Sequence, residues 1–131
     1  VIRAEASALP RDPSHDEAVA EVIARHGRID ILVNNAGRSP VGAVEEAGEA
    51  EQWALFEVHF FGPAALTRAA LPHPRARRSG AIVQVSSVGG RLPFAGISAY
   101  SATKFALEGI RRTRSGFLSL GRSSRSTARH T

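Results

Sequence analysis

Two short apolar runs limit what this chain can fold into. Ile82, Val83 and Val85 form a β-branched run just after Gly80, and Ile29, Ile31, Leu32 and Val33 form another that stops at Asn34. Each fits a short strand. The run at Ile29–Val33 predicts a strand buried on both faces of a parallel sheet. Between the runs, Trp53, Phe56, Phe60 and Ala64 recur at helical spacing. They predict one long helix from about Glu49 to Leu71, kinked at Gly62-Pro63. Strand, helix, strand in that order predicts a right-handed crossover between neighbouring parallel strands. The expected class is α/β, a doubly wound parallel sheet.

The remaining elements follow from local signals. Ser14-His-Asp-Glu17 has capping-box spacing. Ala18, Val19, Val22 and Ile23 then give one apolar helical face, and Gly27 ends that helix. Arg38 to Gly48 is expected as a loop, and Pro72 to Gly80 as a polar connection. Ala99 to Glu108 contains no helix breaker. Before Asp12 the pattern is blurred: Val1–Glu5 fits the end of a helix and Ala6–Pro10 a stunted strand.

Tyr100 and Lys104 stand four apart in that last helix, one above the other on the same face. An ammonium beside a phenol favours the phenolate, which is one way to make tyrosine an acid–base group. A solvated tyrosine over a surface lysine is the plain alternative. Ser87, where the second strand ends, offers a hydroxyl to a substrate oxygen. Asn34-Asn35-Ala36-Gly37 makes a strand-to-loop turn, since Asn and Gly supply positive φ. No metal-ligand pattern is read in the chain.

These residues together resemble the short-chain dehydrogenase/reductase (SDR) family. The resemblance rests on Ser87 thirteen residues before Tyr100, on Tyr100-Ser-Ala-Thr-Lys104, and on the Asn34–Gly37 turn after an apolar strand. It runs from about Pro13 to Ile110. It implies a Rossmann-like fold and an NAD- or NADP-dependent oxidoreductase that interconverts an alcohol and a ketone or aldehyde. It implies that Tyr100 exchanges a proton with the substrate oxygen, and that Lys104 assists it and binds the nicotinamide ribose. Ser87 would orient the substrate oxygen. Asn34, Asn35, Ala36 and Gly37 would wall the cofactor, with Tyr100 and Lys104 beside it. His59 occupies the place of the family's catalytic asparagine, in His59-Phe-Phe-Gly62. Histidine both donates and accepts, so it is a candidate relay member; a packed histidine is the plain alternative. The loop at Leu92-Pro93-Phe94 suggests a partly hydrophobic small-molecule substrate. The helix from Glu49 and the helix of Tyr100 would pack against a partner, giving a homo-oligomer.

Some family features are not found. No Gly-x-x-x-Gly-x-Gly precedes Asn34, so the turn that holds pyrophosphate at a helix N-terminus is missing. An acidic residue contacting adenine is expected near Ala8 or Leu9, and neither is acidic; Asp12 would serve only if the register slips. The chain opens on Val1. Residues 1–110 are therefore expected to be a partial dinucleotide-binding domain. Weak dinucleotide affinity is expected with it.

The formal charge of +5 is uneven. Residues 1–110 hold 11 basic and 12 acidic side chains, while residues 111–131 hold 6 Arg and no acid. That Arg/Ser-rich tail is expected to be disordered. With 16 Arg and one Lys suggesting GC-rich coding, a shift of reading frame near Ile110 would produce it. A nucleic-acid-binding module based on the tail is a rival reading, weakened because Phe117 is its only aromatic residue. A non-catalytic remnant is the other rival. The lack of cysteine fits a reducing cytoplasm, and no apolar run reaches the length of a membrane helix.

Overall fold

The computed structural model describes residues 14–40 and 42–110. The expectations for Val1–Asp12, and those for the tail from Arg111 to Thr131, lie outside the described residues.

The two apolar runs are neighbouring parallel strands, β1 (Ile31–Asn34) and β2 (Ala81–Gln84), with Ile31 opposite Ala81 and Asn34 opposite Gln84. The Val85 N–H continues the pairing onto the Asn34 carbonyl at 2.9 Å. Both strands thus end at one edge, which is where the chemistry-bearing residues follow. Helix α1 (Ser14–His26) precedes β1. It ends at Gly27, whose φ of 74° is the left-handed stop that glycine supplies and whose N–H returns to the Ile23 carbonyl.

Between the strands the chain is helical in four pieces: α2 (Glu49–Phe56), a π-helical turn (Glu57–Phe61), α3 (Gly62–Ala70) and α4 (Pro72–Arg77). The expected kink at Gly62-Pro63 is instead a change of register just before it. Proline has no N–H to give to the His59 carbonyl one turn back. The preceding turn widens, and the Gly62 N–H reaches the Glu57 carbonyl. The segment from Pro72, expected as a connection, forms α4. Its two prolines sit in the first turn, where the fixed φ of proline is already that of a helix. Helix α5 (Ser98–Ile110) follows a single 3₁₀ turn, Val88–Gly90. The loop after β1 is fastened to the start of α5 by a parallel bridge, with the Gly42 N–H on the Gly96 carbonyl at 2.7 Å.

The core gathers Val19 from α1, Leu32 and Ile82 from the strands, and Leu66 and Ala70 from α3. Here the expected double burial of β1 fails. Leu32 is buried, but Ile31 is 53% and Val33 39% exposed. Successive strand residues point to opposite faces, and α1 and α3 pack on the Leu32 face. Among the described residues the face of Ile31 and Val33 is only partly covered.

Where β2 begins, the backbone is crowded. Gly80 has φ 137°, and a Cβ there would stand 2.7 Å from Pro74 Cβ and 3.0 Å from the Asp30 carbonyl. Arg77 reinforces the junction with an ion pair to Asp30 at 3.2 Å. Gly80→Ala should therefore cost about 2 kcal/mol or more, from backbone strain and overpacking together. Gly109→Ala, on α5 with nothing within 4 Å of the new methyl, should be neutral or stabilising by up to about 1 kcal/mol. Urea denaturation of the two variants checks the contrast; equal midpoints would contradict it.

Candidate active site

At the carboxyl edge of the two strands, the chain turns twice. After β1 it runs through Asn34–Gly37, and after β2 through Ser86 and Ser87 into the 3₁₀ turn. Ser87 is extended, with φ −147°, and its Oγ accepts the Gly89 N–H at 3.2 Å. That bond uses a lone pair and leaves the hydroxyl proton to be donated. Gly89 also faces Tyr100: a methyl group on it would stand 3.3 Å from Cε1 of the ring. A methyl group on Gly90 would meet the Lys104 carbonyl at 2.9 Å. The two glycines let the 3₁₀ turn lie directly on α5. In this way the turn that follows Ser87 is laid on the helix that carries Tyr100 and Lys104.

Lys104 is 5% exposed, and its Nζ donates to the Val85 carbonyl at 3.1 Å. The ammonium lies 5.8 Å from the centre of the Tyr100 ring. It also lies 3.9 Å from where a Cβ on Gly37 would be. Burial pushes its pKa below the usual lysine value. An ammonium carries three N–H groups, of which Val85 takes one. The turn after β1, the end of β2 and the helix of Tyr100 therefore meet around one cation.

The four residues of the first turn divide. Asn34 is buried and turned inward, with its Nδ2 on Thr67 Oγ1 at 3.3 Å and near the Pro63 carbonyl at 3.5 Å. Gln84 donates to the same hydroxyl at 3.0 Å. The ends of both strands are thus tied to α3 through Thr67. Asn35 and Gly37 are exposed and Ala36 is half-buried.

His59 is fully buried in the π-helical turn, at 0% exposure. Its Nε2 accepts the backbone N–H of Arg38 at 3.1 Å, and its Nδ1 lies 2.8 Å from Thr103 Oγ1. Its ring meets Tyr100 edge to face at 5.3 Å. Burial lowers its pKa to about 4, with the nearby charges of Lys104 and Arg38 adding to the effect. Thr103 was not among the residues singled out by sequence, nor were Gly89 and Gly90. The Gly-Gly pair after Ser-Ser-Val was the available signal for close backbone approach. Thr103 had none beyond its place beside Lys104.

The chain is similar to known proteins. A short chain dehydrogenase family profile matches residues 7–116. The match extends six residues to either side of the Pro13–Ile110 span. A 3-ketodihydrosphingosine reductase of Bacteroides thetaiotaomicron is 43% identical over 95 residues, covering 71% of this chain and 35% of that protein. The human retinol dehydrogenase 8 is 42% identical over 100 residues, covering 76% and 32%. Among solved structures, a short-chain dehydrogenase from Streptomyces avermitilis is 60% identical with a TM-score of 0.73, covering 75% of this chain and 36% of that one. A metagenomic short-chain oxidoreductase in complex with NADP is 35% identical with a TM-score of 0.75, covering 83% and 50%. The chain thus spans about a third of the length of the named relatives and up to half of these structures.

The buried imidazole gives stability a pH dependence. The folded chain holds His59 neutral down to about pH 4, whereas the unfolded chain binds its proton near 6.5. Its contribution is therefore complete above pH 6.5 and is lost as the pH falls toward 4, by up to about 3 kcal/mol. Urea midpoints measured from pH 7.5 to 4.0 should fall across this window. His59→Gln, which cannot titrate, should fall less; parallel curves for the two proteins would remove His59 as the cause.

Proposed function

Because the chain belongs to the short-chain dehydrogenase family, we propose that it carries the acid–base half of an NAD(P)-dependent oxidoreductase that interconverts an alcohol and a ketone or aldehyde. The observation that carries this reading is the meeting of Lys104, Tyr100 and the Asn34–Gly37 turn at one strand edge. Open α/β sheets bind ligands at that edge.

The residues present suit the nicotinamide end of a dinucleotide. Asn35, Ala36 and Gly37 offer backbone and small side chains for close approach, and Lys104 has N–H groups for ribose hydroxyls. The bound dinucleotide would supply or take the hydride. The chain's own residues do the rest. The Tyr100 phenol gives its proton to the substrate oxygen in reduction and takes one back in oxidation. Lys104, beneath the ring, favours the charge left on the phenol oxygen. The Ser87 hydroxyl, steadied by the Gly89 N–H, donates to the same substrate oxygen and stabilises the charge that develops there. The domain is read as ending at residue 110, with 111–131 as an appended tail.

Exposed Leu92 and Phe94, between Ser87 and Tyr100, support a partly apolar substrate. Two relatives are named for a ketodihydrosphingosine and a retinol, both largely hydrocarbon. Trp53 on α2 and Phe105 on α5 stand exposed and support a homo-oligomer. No helix among the described residues is long and apolar enough to cross a membrane; a reducing, cytoplasmic setting is proposed from the absence of cysteine.

Two measurements test the reading. Alone, the 131-residue chain should bind NADH and NADPH weakly in a fluorescence titration, because the pyrophosphate turn is not found in it; tight binding would mean that another segment holds the phosphates. Residues 14–110 exchanged into the 60%-identical Streptomyces enzyme should sustain NAD(P)H-dependent carbonyl reduction. In that hybrid, Tyr100→Phe should lower kcat by about 10²-fold or more while dinucleotide binding persists. A hybrid that binds cofactor and tolerates Tyr100→Phe would remove the tyrosine from the mechanism.

A further inference from the structure

We propose that His59 is a positioning residue, an imidazole held in its Nδ1–H form that pins the turn after β1 to the helix of Tyr100 and Lys104 and relays no proton. The assignment follows from the direction of its hydrogen bonds. The Arg38 backbone N–H can only donate, so Nε2, at 3.1 Å, is the bare nitrogen. The ring proton is then on Nδ1, which donates to Thr103 Oγ1 at 2.8 Å. Thr103 passes its own hydroxyl proton to the Tyr100 carbonyl at 2.7 Å. The three bonds form a one-way chain from the Arg38 amide to the backbone of the residue proposed to react. Reversing the middle bond would set an Nε2–H against the Arg38 N–H and leave Thr103 Oγ1 facing the Tyr100 carbonyl as two acceptors.

A relay residue needs a spare position from which to take or give a proton. Here both nitrogens are engaged by groups that do not titrate. The charged groups facing the ring are Lys104 from α5 and Arg38 from the turn, and both oppose a second positive charge. The fit is close on the turn side as well: a methyl group on Gly37 would stand 3.1 Å from Nε2. A smaller side chain at position 59 would not reach both the Arg38 amide and Thr103. The imidazole therefore sets the distance between the Asn35–Gly37 surface and the Tyr100–Lys104 pair.

The role rests on the proposed reading of Tyr100 and Lys104, but its test does not pass through turnover. Long-range ¹H–¹⁵N spectra of the full ¹⁵N-labelled chain report the tautomer of each of its five histidines, and His59→Gln assigns the signal. His59 should show the neutral Nδ1–H pattern, unchanged down to about pH 5 where a solvated histidine is charged. Thr103→Ser should preserve the pattern and Thr103→Val should lose it. An Nε2–H tautomer, an imidazolium at pH 6–7, or the averaged signals of a solvated ring would each overturn the proposal. So would a Thr103→Val chain with unaltered His59 signals.

Discussion

An ammonium removed from water must be given acceptors, or its burial costs more than folding can offset. Lys104, 5% exposed, has the Val85 carbonyl in reach. That carbonyl is available because β2 has just ended: the Val85 N–H still pairs with Asn34, while the carbonyl faces the helix side. The site therefore depends on the strand stopping where it does. One more residue of pairing would commit that carbonyl to the sheet. Burial that lowers the lysine pKa also keeps the charge close to the tyrosine ring and poorly screened by solvent, where its influence is greatest.

Around that cation the packing is unusually bare of side chains. Gly37, Gly89 and Gly90 each face a residue of the site at contact distance, so backbone lies where a Cβ would intrude. The polar residues beneath do the opposite and fill space. Asn34 and Gln84 both donate into Thr67, joining two strand ends and α3 through a single hydroxyl. A shifted strand would leave these two donors unmatched.

How much was legible in the sequence depended on the range of the signal. The β-branched runs, the Gly27 stop and the four-residue spacing of Tyr100 and Lys104 are local, and the structure places them as they read. The exposure of Ile31 and Val33 was not legible, because a strand's apolar run says nothing about how many layers are present to cover it. Helix α4 was hidden by its prolines, which are penalised inside a helix but not in its first turn. His59 was identified as a candidate, yet its partners Arg38 and Thr103 lie 21 and 44 residues away. Nothing at position 59 itself shows which nitrogen is bare. Which way the Asn34 amide turns was not legible either, since its partner Thr67 lies 33 residues away.

The π-helical turn at Glu57–Phe61 has a mechanical meaning. A turn that holds an extra residue re-phases everything after it, so the helical rod has one angular setting before His59 and another beyond it. The front half, α2, packs toward α5, while the rear half, α3, packs toward α1 and β1. A uniform α-helix could not aim its apolar stripe at both neighbours. The turn works as a fixed crank in the rod, and His59 is its throw. Deleting one residue there would straighten the crank, swing the imidazole about 100° around the axis, and leave one half of the rod facing the wrong neighbour.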